Sequence, residues 1–240
     1  MEMIGTINID KFQDAIQQVG KGPCVEFNCP RQKACGEEEV ECKAFRFWVN
    51  NDSYTTMRKG QKTSMSTRAG DFVTLDELIE EVGVDAARFF YLAKKSDQAL
   101  EFDMDLAISQ DKNNPVYYIQ YAFARICSLE KELKKRKMNF NIKDGINNLV
   151  LLNKKSELEI ISYLENYKTI IEQCNENYEV HPICFYLRDL ASKFHSYYNS
   201  EIIIDDEEDK RNAKFALLLA VKKTIKSGMD VLMIETPEKM

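Results

Sequence analysis

The chain has 240 residues, 44% of them hydrophobic, with nine Gly and five Pro. That is enough apolar matter for one large domain, or an ordinary domain plus a small one, and it excludes a disordered chain and a loop-rich β protein. The net charge of −6 argues against a protein that is basic over its whole surface, yet leaves room for a local cationic patch. No apolar stretch approaches the ~20 residues that cross a bilayer. The start, MEMIGTINIDKF, has no secretory pattern, so the expected location is cytoplasmic, with no membrane partner.

Residues 1–50 hold four of the seven Cys, at Cys24, Cys29, Cys35 and Cys42, and the one Trp, Trp48. Their spacing, C-x4-C-x5-C-x6-C, brings four thiolates close in sequence. Such a set suits tetrahedral Zn or an iron–sulfur cluster. It lacks the C-x2-C knuckles of most Zn sites, and free thiols or disulfides are the alternatives. A small four-Cys module is expected over 1–50. Residues 49–64 are polar and read as a linker or hairpin.

From Thr74 the pattern turns helical. Leu75, Leu78, Ile79 and Val82 repeat at helical spacing, with Thr74 as N-cap and Glu77 as its capping-box partner. Asp85 can cap a second helix whose apolar face is Ala86, Phe89, Phe90 and Ala93. Pro115 suits the first position of a third helix, running to Lys137. Further helices are expected at 144–152, 156–175, 182–199 and 208–227, with the acidic IDDEED at 204–209 as an exposed loop. Cys127, Cys174 and Cys184 read as small buried hydrophobes. The expected fold is mainly α, an antiparallel bundle of six or seven helices over 74–240 after a linker at 51–73.

The helix after Pro115 carries the best candidate site. Tyr118 and Tyr121 lie three apart and Arg125 four further, so they share a face. Tyr offers a stacking plane for an unstacked base, and Arg a guanidinium for phosphate or base edge. Gln120 could bond a base edge. Aromatics at this spacing also suit a core, and Tyr117, Ile119 and Phe123 are assigned to packing. The run KELKKRK at 131–137 puts five cations in seven residues. It is either a solvated helix face or a contact for an RNA backbone. Tyr197 and Tyr198 read as loop contacts or as aromatic core.

The stretches MSTRAGDFVTLDELIEEVGVDAARFFYL from Met65, NPVYYIQYAFARICSL from Asn114 and the tail MDVLMIETPEKM resemble the C-terminal part of arginyl-tRNA synthetases. The resemblance implies that Met65, Ser66, Thr67 and Arg68 stand where the class I signature loop closes on ATP. A cation on a mobile loop meets the charge that develops on the phosphates there. Arg68 is the retained cation, with Lys59 and Lys62 upstream. It implies that 84–92 is the segment that names the DALR anticodon-binding domain. It also implies that the helix after Pro115 faces the anticodon arm of arginine tRNA, with Tyr118, Gln120, Tyr121 and Arg125 as contacts and the Met240 carboxylate near the loop. Phe123 stands where the family commonly has His, and His195 where Asn is frequent.

The 240 residues contain no HIGH-type tetrapeptide and no phosphate-cradling glycine loop. The implied function is therefore recognition of tRNA without ligation by the isolated chain. ATP would enter only with a separate catalytic half. The alternatives are an arginine–tRNA ligase assembled with that half, and a metal-binding fusion whose bundle is a scaffold. Residues 1–50 have no counterpart in the resemblance, so a junction is expected near 50–62, from a natural fusion, a rearranged gene or a chimera.

Overall fold

The computed structural model describes residues 55–58, 61–64, 75–95, 98, 100–204 and 206–240. Cys24, Cys29, Cys35, Cys42, the loop residues Met65, Ser66, Thr67 and Arg68, and the proposed cap Thr74 lie outside them. The chain forms two compact units, 1–109 and 110–240. No helix among the described residues is long and apolar enough to cross a membrane.

In the first unit the hairpin reading of 49–64 is met by β1 (Thr55–Arg58) and β2 (Gln61–Ser64), antiparallel, with Arg58 opposite Gln61. A third strand, β3 (Glu101–Asp103), pairs with β1 in parallel, so the sheet order is β2-β1-β3. A parallel pair needs a crossover, and α1 (Leu75–Val82) and α2 (Val84–Leu92) supply it. Asp85 does not cap α2. The N-cap is Gly83, at φ 83°, and Asp85 sits in the first turn, where its charge suits the helix dipole. Leu78, Ala86, Phe102 and Met104 anchor the core, and the Phe90 and Phe102 rings lie 5.3 Å apart. Asp103 ends β3 and caps α3 (Met104–Ile108) by accepting from the Leu106 amide at 3.0 Å.

The second unit begins with α4 (Pro115–Lys135), the longest stretch of the candidate site. Asn114 caps it, its Oδ1 accepting from the Val116 amide at 3.1 Å, and Pro115 opens it as expected. It ends with Lys137 at φ 54° and the Met138 amide bonded to the Leu133 carbonyl. A short α5 (Ile142–Asn147) and a 3-10 turn (Leu149–Leu151) replace the single helix expected at 144–152.

The helix expected at 156–175 is two, α6 (Lys155–Glu165) and α7 (Tyr167–Asn177). The break has a local cause. The Asn166 side chain donates to the Ser162 carbonyl at 3.3 Å, and its backbone amide turns to Tyr163 instead. Then follow α8 (His181–Ser200) and α9 (Glu208–Val231).

Contacts fix the helix directions. Tyr197 meets Glu157, Tyr186 meets Tyr163 and Tyr167, so α8 runs antiparallel to the α6–α7 path. Gly228 packs at Leu187 while Lys214 reaches Glu201, so α9 is also antiparallel to α8. The contacts of α4 with α8 advance in the same sense, Tyr118 to His195 and Arg125 to Asn199. The three central Cys are buried as expected. Burial pushes the Cys174 thiol up to about 11 and raises Cys127 and Cys184 as well, which disfavours the thiolate form in all three.

The acidic loop is not simply exposed. Ile203 and Ile204 are buried, and Asp206 accepts from Lys214 Nζ at 2.7 Å. Lys214 itself is 1% exposed and also donates to the Ile202 carbonyl at 2.6 Å.

Candidate nucleic-acid interface

The helical spacing of Tyr118, Tyr121 and Arg125 puts all three against α8. The Tyr118 ring lies 4.4 Å from His195, and the Tyr121 ring 5.6 Å from it and 5.9 Å from Tyr117. The Arg125 guanidinium carbon sits 4.4 Å over the Tyr121 ring and 4.7 Å over the Tyr198 ring. Its Nη1 contacts His195 Nδ1 at 3.2 Å and donates to Asn199 Oδ1 at 3.4 Å. Its Nη2 and Nε have no hydrogen bond among the described residues. The result is a guanidinium held by two aromatic rings, with Nε and Nη2 unengaged among the described residues. Such a group can take a phosphate or base edge while the tyrosines offer stacking planes.

His195 is buried at 5% exposure, and its Nε2 faces the Tyr118 carbonyl at 3.1 Å. Burial, and then the Arg125 charge, push its pKa below the ordinary value, although the bond to Tyr118 opposes them. At neutral pH the imidazole is uncharged.

Gln120 does not join this cluster. Its amide donates to the Glu235 carbonyl at 2.9 Å, tying the C-terminal tail to α4. Farther along, Lys131 pairs with Glu238 at 3.1 Å, so the tail follows α4 towards its C-terminal end. Met240 is 45% exposed at the end of that path. Of the KELKKRK cations, Arg136 is bound to Glu132 at 2.7 Å, while Lys134, Lys135 and Lys137 are exposed and make no ion pair among the described residues.

The packing assignments hold for Ile119 and Phe123, both buried, whereas Tyr117 is half-buried and stacks on Tyr121. The adjacent tyrosines of α8 divide the two readings between them. Tyr197 is core, fully buried with its hydroxyl on Glu157 at 3.3 Å, and Tyr198 lies in the cluster. His195 and Asn199 were not singled out as partners of Arg125. The signal was there: 195, 198 and 199 share one helical face.

A family model described as the DALR anticodon binding domain matches residues 119–240. The segment 84–92 falls before that match. An arginine–tRNA ligase of Coxiella burnetii is 47% identical over 183 residues, 76% of this chain and 31% of the relative. One of Legionella pneumophila is 45% identical over the same shares. A solved structure from Campylobacter jejuni, described as an arginyl tRNA synthetase, aligns with a TM-score of 0.67 and 29% identity, over 82% of this chain and 44% of that one. The chain thus spans about a third of the length of the curated relatives it matches. With its model covering half of the sequence, and the Tyr121–Arg125 cluster inside the matched residues, the chain belongs to the DALR anticodon-binding domain family.

Proposed function

We propose that this chain binds the anticodon arm of arginine tRNA, as the tRNA-binding part of an arginine–tRNA ligase. The observation that carries this reading is the Arg125 guanidinium seated over Tyr121 and Tyr198 with Nε and Nη2 unengaged among the described residues, within the matched domain. An anticodon loop offers unstacked bases and a dense run of phosphates. Aromatic planes meet the first, and a fixed guanidinium meets either. Lys134, Lys135 and Lys137 then supply the phosphate contacts that set affinity without reading sequence. The Met240 carboxylate, at the end of the tail along α4, is the proposed contact for a base amino group. Tyr118 acts from beneath, through His195, and Gln120 acts by holding the tail.

Ligation itself needs ATP, arginine and the tRNA acceptor end in one site. We infer that this chemistry belongs to the part of the relatives beyond the matched 183 residues. The Met65–Ser66–Thr67–Arg68 loop would meet ATP only when joined by that part. The donor set Cys24, Cys29, Cys35 and Cys42 is read as a Zn or iron–sulfur site on its ligand chemistry, and metal analysis of the purified chain, before and after Cys29→Ser, tests it.

The functional reading is tested by Arg125→Ala. Its affinity for a labelled arginine-tRNA anticodon arm is expected to fall about tenfold or more, as for loss of a stacked cation at a nucleic-acid surface. Unchanged affinity would remove this face from the interface.

A further inference from the structure

We propose that His195 is the positioning residue of this interface: a neutral imidazole protonated at Nε2 fixes Arg125 over Tyr121 and Tyr198, and RNA binding requires that form. The proposal rests on the reading that Arg125 contacts RNA.

The hydrogen bonds determine the tautomer. A guanidinium has donors and no acceptor, so Nδ1, 3.2 Å from Arg125 Nη1, presents its lone pair. The ring proton is then on Nε2, 3.1 Å from the Tyr118 carbonyl, which can only accept. Both nitrogens are committed in complementary senses. The ring cannot turn easily, because Tyr118 at 4.4 Å, Phe194 at 5.4 Å and Tyr121 at 5.6 Å enclose it. The titratable and charged groups around it are Tyr118, Tyr121 and Arg125 from α4 and Tyr198 on its own helix, which shares the Arg125 guanidinium.

An imidazolium in this place would set an N–H against an N–H and a cation against a cation at 3.2 Å. The buried ring has nowhere to go, so Arg125 gives way. Freed of its acceptor, the long side chain samples many rotamers, and the ordering lost must be recovered when RNA binds. RNA binding is therefore linked to the deprotonated state of His195. The sign is unusual. A protein gaining positive charge ordinarily binds RNA more tightly, whereas here protonation weakens binding.

Two variants separate the two bonds. The Asn oxygen of His195→Asn stands where Nδ1 stands, accepts from Arg125 and cannot be protonated. The Gln amide of His195→Gln reaches towards the Tyr118 carbonyl and leaves Arg125 without its acceptor. Anisotropy titrations of a labelled arginine-tRNA anticodon arm, with the full chain, would run from about pH 7.5 to about pH 5.5. The wild type is expected to weaken as pH falls, by less than the roughly tenfold that an unshifted imidazole would give over this range, with H195N matching it at the upper pH and staying flat, and H195Q about tenfold weaker throughout.

Binding by the wild type that is flat or tighter at low pH overturns the proposal, as does H195Q binding like the wild type. If Arg125→Ala binds like the wild type, or the wild type does not bind, the underlying reading fails and takes this one with it. A readout without RNA guards against variants that do not fold. The ring 15N–1H spectrum of the wild type contains just His181 and His195. An Nε2–H tautomer for His195 near neutral pH is expected, and an Nδ1–H tautomer or an imidazolium overturns the proposal.

Discussion

Adjacent tyrosines on α8 serve two purposes, and the difference is a matter of one helical step. Tyr197 points into the core and donates to Glu157 Oε1 at 3.3 Å, while Glu157, fully buried, accepts the Lys154 amide with its other oxygen at 3.0 Å. Tyr197→Phe strands a buried carboxylate oxygen, and is expected to cost about 1–3 kcal/mol in urea denaturation with RNA affinity unchanged. A second residue-scale prediction concerns acid. Burial alone would raise the Glu201 and Asp206 carboxyls, but Lys154 and Lys214 outweigh it at Glu201, and Lys214 with the Glu207 amide at Asp206, so both lie below their ordinary values of 4.5 and 3.8. The unfolded chain therefore takes up protons at higher pH than the folded one. The stabilisation is complete above those ordinary values and is lost as pH falls through the lowered ones. Buried His195, also lowered, adds a decline that starts as pH falls below 6.5. Urea midpoints between neutral pH and pH ~3 should fall in these two stages, and Lys214→Met should flatten the lower one. A midpoint that rises on acidification would contradict this. Tyr121 and Arg125 were legible in the sequence because they share a face of one helix. His195 as partner of Arg125 was not, because the contact joins positions 70 apart, and periodicity carries no information across two helices. The tie of Gln120 to the tail was not legible for a similar reason: the carbonyl that takes its amide lies 115 residues on.

At the scale of elements, the sequence specified helices better than their breaks. The start of α4 was readable in Asn114-Pro115, since cap and fixed φ act locally. The break at Asn166 was hidden inside a continuous amphipathic pattern, because the cause is one side-chain amide competing for a carbonyl rather than a Gly or Pro. Strand β3 was invisible for another reason. Three residues give no alternation, and its pairing with β1 exists only once α1 and α2 have made the crossover. Close packing of α5 on α9 depends on a glycine in the same non-local way. A Cβ at Gly145 would stand 2.5 Å from the Asn212 carbonyl oxygen and 2.9 Å from the Ala216 Cβ. Backbone cannot yield as a side-chain tip does. Gly145→Ala is therefore expected to destabilise by about 1–3 kcal/mol despite the better helix propensity of Ala, as a lower thermal midpoint. A midpoint equal to or above that of the wild type would show that α5 can shift freely along α9.

For the whole molecule, an acidic chain with a net charge of −6 is expected to bind a polyanion through one local surface. That surface combines cations at the end of α4 with aromatic planes where α4 meets α8. The fold class was readable from helical periodicity and few turn residues, whereas the fine geometry of the site came from the tail and α8 folding back on α4. Charge of opposite sign elsewhere on the chain makes attraction short-ranged, so affinity should drop steeply with salt as the lysine–phosphate contacts are screened. The most direct test of the account is anisotropy binding of a labelled arginine-tRNA anticodon arm beside an arm with an altered anticodon, at several salt concentrations. The account predicts salt-sensitive binding with a preference of about tenfold or more for the native anticodon, since the proposed role of the guanidinium and tyrosines is to read unstacked bases. Equal weak binding to both arms, or none, would contradict it.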